Sequence, residues 1–472
     1  MISVIIDPVV EQQLRSAFPS SRIDPGDHLA KYANALEAAM MDAMLHNDFV
    51  LRGKQANFYA STKKIANAGP QLGPSKLRLH KWLTVNQLQL IQVAEKGNKF
   101  HGRNSLVTTT RFVTVVPASS TMSPEEALEW LYPGYSQLSP AQISQEFHLD
   151  KVDFKSLNVY MQSLMQNGQL PPSDSKELTK FTKAELIHLV ATHLNGLLPQ
   201  RIISSPFGRT YYERLNVQNI DKEIRHALLG PSWEYDLRTA VVAWKLQHAQ
   251  QYLVVHGIQS SPRTVFRYSY WFALRKKSFF DAVKKSVFVN SVHNDEKQTD
   301  ILKSAMTSLN FGAKLQGGYY LDDQGELKKM AIASFFIDNK IDNPDDRKEL
   351  LRFQQHPILN RFMDEQNKLN DLIIDITKQN NPNILNLPIV RTPTNRLSRS
   401  KLLAYLYQHA ETEVMDVFRA CVANLNIEVL ANIHDAIILK TQLVGSSRKA
   451  VMQTMRQQTG NPFWYLQEKE IK

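Results

Sequence analysis

Two acidic residues far apart in the sequence stand where a chain can present a carboxylate to a bound ion. Asp236 lies in a short YDL segment typical of a strand end running into a helix, which places the acid at the mouth of a sheet. Asp435 follows His434 between the apolar runs EVLANI and AIILKT, a pattern that predicts a β-hairpin. A charge set between two apolar strands is costly unless it is paired or binds metal. The ordinary alternatives are a helix N-cap for Asp236 and a turn residue for Asp435.

A third segment has residue types that suit a phosphorylated ligand. Lys303, Thr307 and Phe311 recur at every fourth position, so in a helix they lie on adjacent turns of one face. A cation, a hydroxyl and an aromatic ring on one face suit a nucleotide, with the cation on the triphosphate and the ring against sugar and base. Gly312 permits close backbone approach or ends the helix. The alternative is an ordinary amphipathic helix with a glycine stop.

The surrounding pattern predicts the elements that must position these side chains. Residues 240–256, directly after Asp236, predict a helix, and residues 400–424 predict a long helix leading into the hairpin. Gly230 and Pro231 end a short helical stretch before Asp236. Nearer the N-terminus, residues 28–50 predict a helix, residues 105–117 a strand, and residues 139–164 either a helix-turn-helix or two ordinary helices.

Composition limits the class of protein. The chain has 472 residues, enough for about two to four structural units, and 43% of them are hydrophobic against 21% charged, as in a globular protein with a real core. Lys and Arg number 56 against 45 Asp and Glu, which gives a formal net charge of +11. This surplus favours a polyanionic partner, either nucleic acid or an anionic membrane surface, over an uncharged one. A basic soluble enzyme without such a partner has the same composition.

Membrane attachment is the weaker of these interpretations. No apolar run approaches the roughly 18 residues that a spanning helix needs. The N-terminus lacks a basic stretch before its short apolar run and meets Asp7 and Pro8 at once, unlike a signal peptide. The single cysteine, Cys421, excludes an intramolecular disulfide and a multi-cysteine zinc site. We therefore expect a soluble protein of the cytoplasm.

Taken in order, the three segments resemble motifs A, B and C of the single-subunit polymerases. This group includes the family A DNA polymerases and the single-subunit phage and mitochondrial RNA polymerases. The stretch before Asp236 resembles the GR…LQNI…IR segment ahead of motif A, and Lys303 to Phe311 keeps the eight-residue step of motif B. His434-Asp435 matches the HD of motif C. The resemblance covers about residues 205–442 in patches, and its matching residues ahead of motif A are Gly208, Arg209, Leu215, Gln218, Asn219, Ile220, Ile224 and Arg225.

The resemblance implies an α+β fold, a right-hand polymerase palm with largely helical N-terminal, thumb and fingers regions. It implies an N-terminal and thumb-like, mostly helical region over 1–200 and a palm motif A region over 201–245. It further implies fingers including motif B over 246–400, and a palm motif C hairpin with a C-terminal helix over 401–472.

The resemblance also implies roles for individual residues. Asp236, Asp435 and the backbone of Leu237 would hold two Mg²⁺ ions about 3.5–4 Å apart, for which Mn²⁺ can substitute. Lys303 would bind the phosphates, Phe311 would stack on the incoming nucleotide, and His434 would orient near the primer end. Thr307, Gly312 and Val241 complete the implied nucleotide site. The implied contacts to nucleic acid come from Arg209, Gln218, Asn219, Arg225 and Lys314.

Departures from the family pattern bear on the choice between RNA and DNA synthesis. The RNA polymerases usually have an acid three residues before GR, where this chain has Ser205. Motif A lacks DYSxxE, whose Glu excludes ribonucleotides in DNA polymerases, and Val241 stands five residues after Asp236. This favours RNA synthesis, whereas Phe311 in place of the Tyr of RNA polymerases favours DNA synthesis.

The favoured function is a template-directed nucleotidyltransferase that makes RNA on DNA, a transcription enzyme of a phage, plasmid or prophage. A family A-like DNA polymerase and an RNA-templated polymerase are the near alternatives. A non-catalytic replication or nucleic-acid-binding protein is the alternative from another class. Expected partners are the nucleic-acid template and product and NTPs, with an accessory or promoter-recognition protein as a further candidate and no membrane.

Overall fold

Helices and strands are both frequent along the chain, which confirms the expected α+β class. The computed structural model describes residues 2–4, 6–18, 24–45, 49–52, 55–68, 71–72, 77–95, 105–109, 113–115, 122–165, 167–172, 175–203, 209–317, 319–321, 327–337, 344–392, 394–433 and 436–471. No helix among these residues is long and apolar enough to cross a membrane.

The first part of the chain builds a small sheet against a long helix. Leu29, Tyr32, Leu36 and Met40 recur on one face of α2 and pack in one core with strands of the sheet β2-β3-β7-β6. The elements are β1 (Ile2–Val4), α1 (Pro8–Ala17), α2 (Pro25–Leu45), β2 (Phe49–Arg52), β3 (Gln55–Ala60), α3 (Thr62–Ala68), β4 (Gln71–Leu72), β5 (Leu77–Arg78), α4 (Leu79–Val85), β6 (Ile91–Glu95), β7 (Ser105–Thr109) and β8 (Val113–Val115).

Three expectations for this part need refinement. The helix predicted over 28–50 is α2, but it ends at Leu45 and residues 49–50 belong to β2. The strand predicted over 105–117 is two strands, because β7 pairs with β3 and β6 whereas β8 pairs with β1. The region over 1–200 also contains a four-stranded sheet besides its helices.

The next part is helical apart from one antiparallel ladder, β11-β10-β9. The helix-turn-helix predicted from residue 139 is wrong, because residues 147–151 form a strand that pairs with β10 from Phe147↔Arg201 to Lys151↔Leu197. The elements are α5 (Pro124–Leu131), α6 (Pro140–Glu146), β9 (Phe147–Lys151), α7 (Phe154–Leu164), α8 (Lys176–His193), β10 (Leu197–Ile203), β11 (Tyr211–Tyr212) and α9 (Lys222–Leu229), with a short 3₁₀ turn at Tyr135–Gln137.

The last part places a helical region between two halves of one sheet. The single helix predicted over 240–256 is divided into α10 and α11, whereas the long helix predicted over 400–424 is confirmed as α19. The elements are β12 (Ser232–Leu237), α10 (Ala240–Leu246), α11 (Ala249–Val255), α12 (Pro262–Val265), α13 (Arg267–Leu274), α14 (Lys276–Val287), α15 (Asp295–Asn310), β13 (Tyr319–Leu321), β14 (Leu327–Lys329), α16 (Ala331–Phe336), α17 (Pro344–Gln355), α18 (Pro357–Asn380), α19 (Arg399–Asn424), β15 (Val429–Ile433), β16 (Ala436–Leu439), α20 (Gly445–Gln458) and β17 (Leu466–Ile471), with 3₁₀ turns at Pro382–Asn386 and Pro388–Val390.

The sheet β15-β16-β12-β17 joins segments from both ends of this part. β15 and β16 pair antiparallel as the predicted hairpin, and β12 pairs with β16 on one edge and with β17 on the other. Strand alternation sends Ile437 and Leu439 into a core with α19, whereas Ala436 and Ile438 pack against the preceding part of the chain. The sheet is therefore covered on both faces, and β12 is an inner strand.

The helical region from α10 to α18 has its own aromatic core. Phe272, Phe279 and Phe362 pack against one another with ring centroids 5.2–5.6 Å apart. The buried Glu365 carboxylate accepts hydrogen bonds from the N–H groups of Tyr268 at 3.1 Å and Ser269 at 2.7 Å. These donors lie in the first turn of α13, where a helix has no partners of its own for them. α18 thereby fixes the start of α13, whose last turn borders the candidate site.

Gly230 ends α9 and starts the turn into β12, with φ 65° and ψ −167°, a conformation almost restricted to glycine. A Cβ there would collide with the carboxylate of Asp153. We expect Gly230→Ala to lower the free energy of unfolding by more than the about 1–3 kcal/mol that such backbone strain costs by itself. Gly460→Ala is the control, since Gly460 also has φ 65° but its added Cβ would meet nothing within 4 Å. If urea unfolding shows equal losses of unfolding free energy in Gly230→Ala and Gly460→Ala, the predicted collision is contradicted.

Candidate functional site

Asp236 is carried to the end of an inner strand by the residues on either side of it. Tyr235 and Leu237 are buried with α19, so alternation directs Asp236 to the opposite face. The Tyr235 hydroxyl donates to Glu468 Oε2 at 2.5 Å and accepts the Leu443 N–H at 2.7 Å, and burial raises its pKa. The end of β12 that carries Asp236 is thus held in place by the buried Tyr235, whose hydroxyl both donates and accepts a hydrogen bond.

The turn after Asp236 is tied to the end of α13. Arg238 donates its backbone N–H to the Tyr465 carbonyl at 2.8 Å and its Nη2 to the Leu274 carbonyl at 2.6 Å. Thr239 has a left-handed backbone with φ 49°, and its hydroxyl lies 3.3 Å from the Ala273 carbonyl. Thr239 rather than Asp236 occupies the N-cap position of α10, so the interpretation of Asp236 as a helix cap is wrong.

The motif C hairpin meets this strand in register. Asp236 is opposite Ala436 on β16, and Ala436 is in turn opposite Ile433 on β15. His434 and Asp435 lie outside the described residues. Gln218 connects this hairpin to the segment before motif A, because its Nε2 donates to the Thr210 carbonyl at 2.9 Å and the Asn432 carbonyl at 3.2 Å. The strands that flank Asp435 in sequence are therefore fixed beside Asp236.

Lys303 and Thr307 lie on one face of α15, as their spacing predicts, and Phe311 follows directly after the helix. Lys303 and Thr307 are exposed and Phe311, just after the helix, is half-buried against Tyr407 with ring centroids 5.7 Å apart. The Thr307 hydroxyl donates to the Lys303 carbonyl at 2.8 Å, and the ammonium of Lys303 lies 3.4 Å from a carboxylate oxygen of Asp300. Gly312 has φ 90°, so the helix ends with a left-handed glycine as the sequence pattern indicates.

Lys276 interacts electrostatically with both Asp236 and Lys303. Partial burial is the largest of the causes that lower the pKa of Lys276. The charge of Lys303 lowers this pKa further, whereas the carboxylate of Asp236 raises it. The ammonium also lies 5.9 Å from the ring centre of Phe272 and 5.6 Å from that of Phe280. In the sequence Lys276 is one member of the basic run 275–277, and the run itself does not distinguish it from Lys277, which is exposed.

Lys245 is a second functional candidate without a sequence signal. Its side chain is fully buried on α10, and its ammonium donates to the Asn310 carbonyl at 2.8 Å, at the last residue of α15. Burial, with a smaller contribution from the charge of Arg399, lowers the pKa of Lys245 to about 7. A donor at the C-terminal carbonyls of a helix is favourable. This contact fixes the end of the motif B helix relative to the strand of Asp236.

Arg209 is committed to a partner within the protein. Its guanidinium forms an ion pair with the buried Glu411 of α19, which also accepts the Tyr407 hydroxyl. A cavity of about 170 Å³ opens beside this pair, and Arg209 and Gln218 both line it. The structure thus brings two of the predicted nucleic-acid contacts together, with the charge of Arg209 already balanced.

The other predicted contact residues occupy different surroundings. Arg225 is half-buried and donates to the Val217 carbonyl at 3.2 Å, and burial lowers its pKa. Asn219 donates its backbone N–H to the Asn216 side chain at 3.0 Å, within the turn that carries Gln218. Lys314 is exposed, and Val241 is half-buried on α10.

The donor set near Asp236 fits the implied cations. A carboxylate oxygen and the backbone carbonyl of Leu237 are hard oxygen ligands, the type that Mg²⁺ prefers. Asp435 would add a third oxygen donor from the sequence position next to Ala436. Asp236 could therefore hold Mg²⁺ together with Leu237 and Asp435.

No protein-family model and no curated protein matches the chain. Among solved structures, the chain is similar to the POL domain of Pol1 from M. smegmatis in complex with DNA primer-template and dNTP, with 9% sequence identity and a TM-score of 0.35. The similarity covers 99% of this chain, which spans 66% of that chain. At this identity and TM-score, the similarity establishes neither a shared fold nor a shared function.

The buried Lys245 predicts a specific pH dependence of stability. The unfolded chain keeps this proton up to about pH 10.5 and the folded chain only up to about pH 7. The unfolded state therefore binds more protons between these values, and stability rises with pH across that window. Relative to that of Lys245→Met, the free energy of unfolding of the wild type should rise by up to about 1.4 kcal/mol per pH unit. Urea unfolding from pH 7 to 10 measures this, and pH profiles that run parallel would contradict the assignment; the exposed Lys348→Met variant should follow the wild type.

Proposed function

We propose that the protein is a template-directed nucleotidyltransferase. The observation that carries the proposal is the register of β12 against β16, which sets Asp236 opposite Ala436, the residue after Asp435. Two carboxylates, one at a strand end and one expected in the adjoining hairpin turn, are an arrangement suited to hold a pair of divalent ions. The exposed cation, hydroxyl and aromatic of α15 supply the nucleotide side of such a site.

The chain's own residues divide the work of the reaction. Asp236 and Asp435 would hold two Mg²⁺ ions, which when bound would activate the 3′-hydroxyl and neutralise the leaving pyrophosphate. Lys303 binds the triphosphate, and Phe311 contacts the sugar and base of the incoming nucleotide. Tyr407 supports the Phe311 ring from the side. His434 would lie near the primer end.

Lys276 is a second triphosphate ligand in this proposal. It lies within electrostatic range of both Lys303 and Asp236, and its partial burial makes an unbalanced charge there unfavourable. A bound triphosphate would supply the missing negative charge between the two lysines. Lys276 and Lys303 would then hold the phosphates from two different helices, α14 and α15.

Ribonucleotides are the proposed substrates. Val241, which stands five residues after Asp236, is a small apolar side chain on the first turn of α10 and offers no carboxylate against a 2′-hydroxyl. The proposed product is therefore RNA on a DNA template, in transcription by a phage, plasmid or prophage element in the bacterial cytoplasm. A family A-like DNA polymerase is the alternative that nucleotide preference would distinguish.

We assign binding of the template and product to residues that surround the proposed catalytic site. The exposed Lys314 follows α15, and the cavity beside Arg209 and Gln218 borders the segment before motif A. Other basic residues are engaged internally: Arg391 donates to the Leu385 carbonyl at 3.0 Å, and Arg399 forms an ion pair with Asp371. The net charge of +11 supplies the general attraction for a polyanion.

The proposal predicts loss of nucleotide addition in Asp236→Asn. Removing a carboxylate that holds the metals costs several kcal/mol of transition-state stabilisation, so the rate should fall at least about 100-fold. The measurement is extension of a labelled primer on DNA and on RNA templates, with NTPs and with dNTPs. Asp435→Asn should lose primer extension to a similar extent.

Glu234→Gln is the matched control, because Glu234 lies on the same strand and its carboxylate is 3.9 Å from Lys469 rather than at the site. Extension with dNTPs alone would move the protein to the DNA polymerases. Activity that survives Asp236→Asn would contradict the proposed role of Asp236 as a metal ligand. No extension by the wild type on any template would instead favour a non-catalytic nucleic-acid-binding protein.

Lys276→Met and Lys277→Met test the second triphosphate ligand. A hydrogen bond to a charged group is worth about 1.5–3 kcal/mol. Lys276→Met should therefore raise the nucleotide KM by about 10- to 100-fold. Lys277→Met removes the same charge from an exposed neighbour and should leave KM near the wild-type value. An equal effect of both variants would mean that only general charge matters.

A further inference from the structure

Three side chains that commonly bind metals meet where the segment before α15 contacts α17. His293 Nε2 lies 3.5 Å from Asp346 Oδ1 and 3.9 Å from Glu349 Oε2. The candidate ligand atoms of all three residues lie within 4.8 Å of one another. Asp346 and Glu349 are three residues apart on α17, so both carboxylates project from one face of that helix toward the imidazole.

The two carboxylates of the cluster are buried, and two of its candidate ligand atoms make no hydrogen bond among the described residues. Glu349 is 2% exposed and Asp346 5% exposed. Among the residues that the structure describes, neither Glu349 Oε2 nor His293 Nε2 has a hydrogen-bond partner, and the separations of 3.5 and 3.9 Å are too long for one. Ligands bound at about 2.0–2.2 Å around a tetrahedral ion would be about 3.3–3.6 Å apart. The His293–Asp346 separation of 3.5 Å lies in this range and the His293–Glu349 separation of 3.9 Å is slightly longer, so the imidazole and both carboxylates approach the spacing of ligands around a common centre.

The charge balance of the cluster also calls for a cation. The Glu349 carboxylate accepts a hydrogen bond from Ser291, and the guanidinium of Arg352 lies nearby. Arg352 directs its Nη1 to the carbonyls of Val287 at 3.3 Å and Val289 at 3.2 Å instead of the carboxylate. Two buried carboxylates with an imidazole between them would be balanced by a divalent ion.

We propose that His293, Asp346 and Glu349 bind a divalent first-row transition-metal ion of the zinc class. An imidazole in the donor set favours such ions over Mg²⁺ and Ca²⁺, which prefer oxygen ligands alone. A cavity of about 300 Å³, lined by His293, Asp346, Lys297 and Ser334 among others, leaves room for a water at the remaining position. The ion would connect the segment that starts the motif B helix α15 to α17, as a structural cross-link. Its ligands are distinct from Asp236 and Asp435, so the site does not depend on the proposed polymerase activity.

The test is Zn²⁺ binding by the full chain after treatment with a chelator. Zn²⁺ is titrated in excess Mg²⁺ against a chromogenic zinc chelator, and Co²⁺ is used in parallel for its absorption in an imidazole-containing site. We expect one Zn²⁺ per chain that Mg²⁺ does not displace, together with a higher Tm. The double variant Asp236→Asn/Asp435→Asn should bind this ion as tightly as the wild type.

Glu349→Gln and His293→Gln should lose the ion and the rise in Tm. Their affinity for Zn²⁺ should fall by more than the about 10- to 100-fold that loss of an outer partner of a metal ligand costs. Glu349→Gln removes a buried charge and is expected to fold without metal. Asp345→Asn is the matched control, since Asp345 is the neighbour of Asp346 and pairs with Lys348 at 2.9 Å on the surface.

Two results would overturn the proposal. One is a wild-type chain that binds no Zn²⁺ in excess Mg²⁺, or that binds it no better than Glu349→Gln does. The other is a bound ion that is lost in Asp236→Asn/Asp435→Asn, which would place it with the acids of motifs A and C. Neither result would bear on primer extension, so failure of the zinc site and failure of the polymerase proposal are separable.

Discussion

The pairing of β12 along both of its edges constrains where the functional side chains can lie. Asp236 is opposite Ala436 on one side and Gln467 on the other, so the strand cannot shift without breaking two ladders. A slip of one residue would exchange Asp236 with its buried neighbours Tyr235 and Leu237. The position of the acid, and of the hairpin that contains Asp435 in sequence, follows from this register.

The helical region is joined to the sheet by polar contacts at helix ends. Arg238 and Thr239 reach the carbonyls of Leu274 and Ala273, in the last turn of α13, and Lys245 donates to the last carbonyl of α15. The last carbonyls of a helix have no partners within it, so donors from the sheet side stabilise both structures at once. The proposed nucleotide-binding face is thereby oriented by the same segment that carries Asp236.

The candidate metal sites differ in chemistry because they differ in surroundings. The acids proposed for Mg²⁺ offer only oxygen donors, and Asp236 lies at the end of β12, whereas the second cluster adds the imidazole of His293 to two buried carboxylates on α17. The first arrangement suits ions that exchange with substrate, and the second suits an ion that remains bound. The protein thus offers separate donor sets for two classes of divalent cation.

The sequence by itself determined the elements with local periodicity: α2, α15 with its Lys303 face, α19, and the hairpin around Asp435. It did not determine β9, the break between α10 and α11, or β17, because strand pairing and helix breaks depend on neighbours distant in the chain. The roles of Lys276 and Lys245, and the meeting of His293 with Asp346 and Glu349, likewise required the tertiary structure. A charged residue has the same local pattern whether it is solvated or buried, and only the packed chain decides which groups share a low-dielectric site.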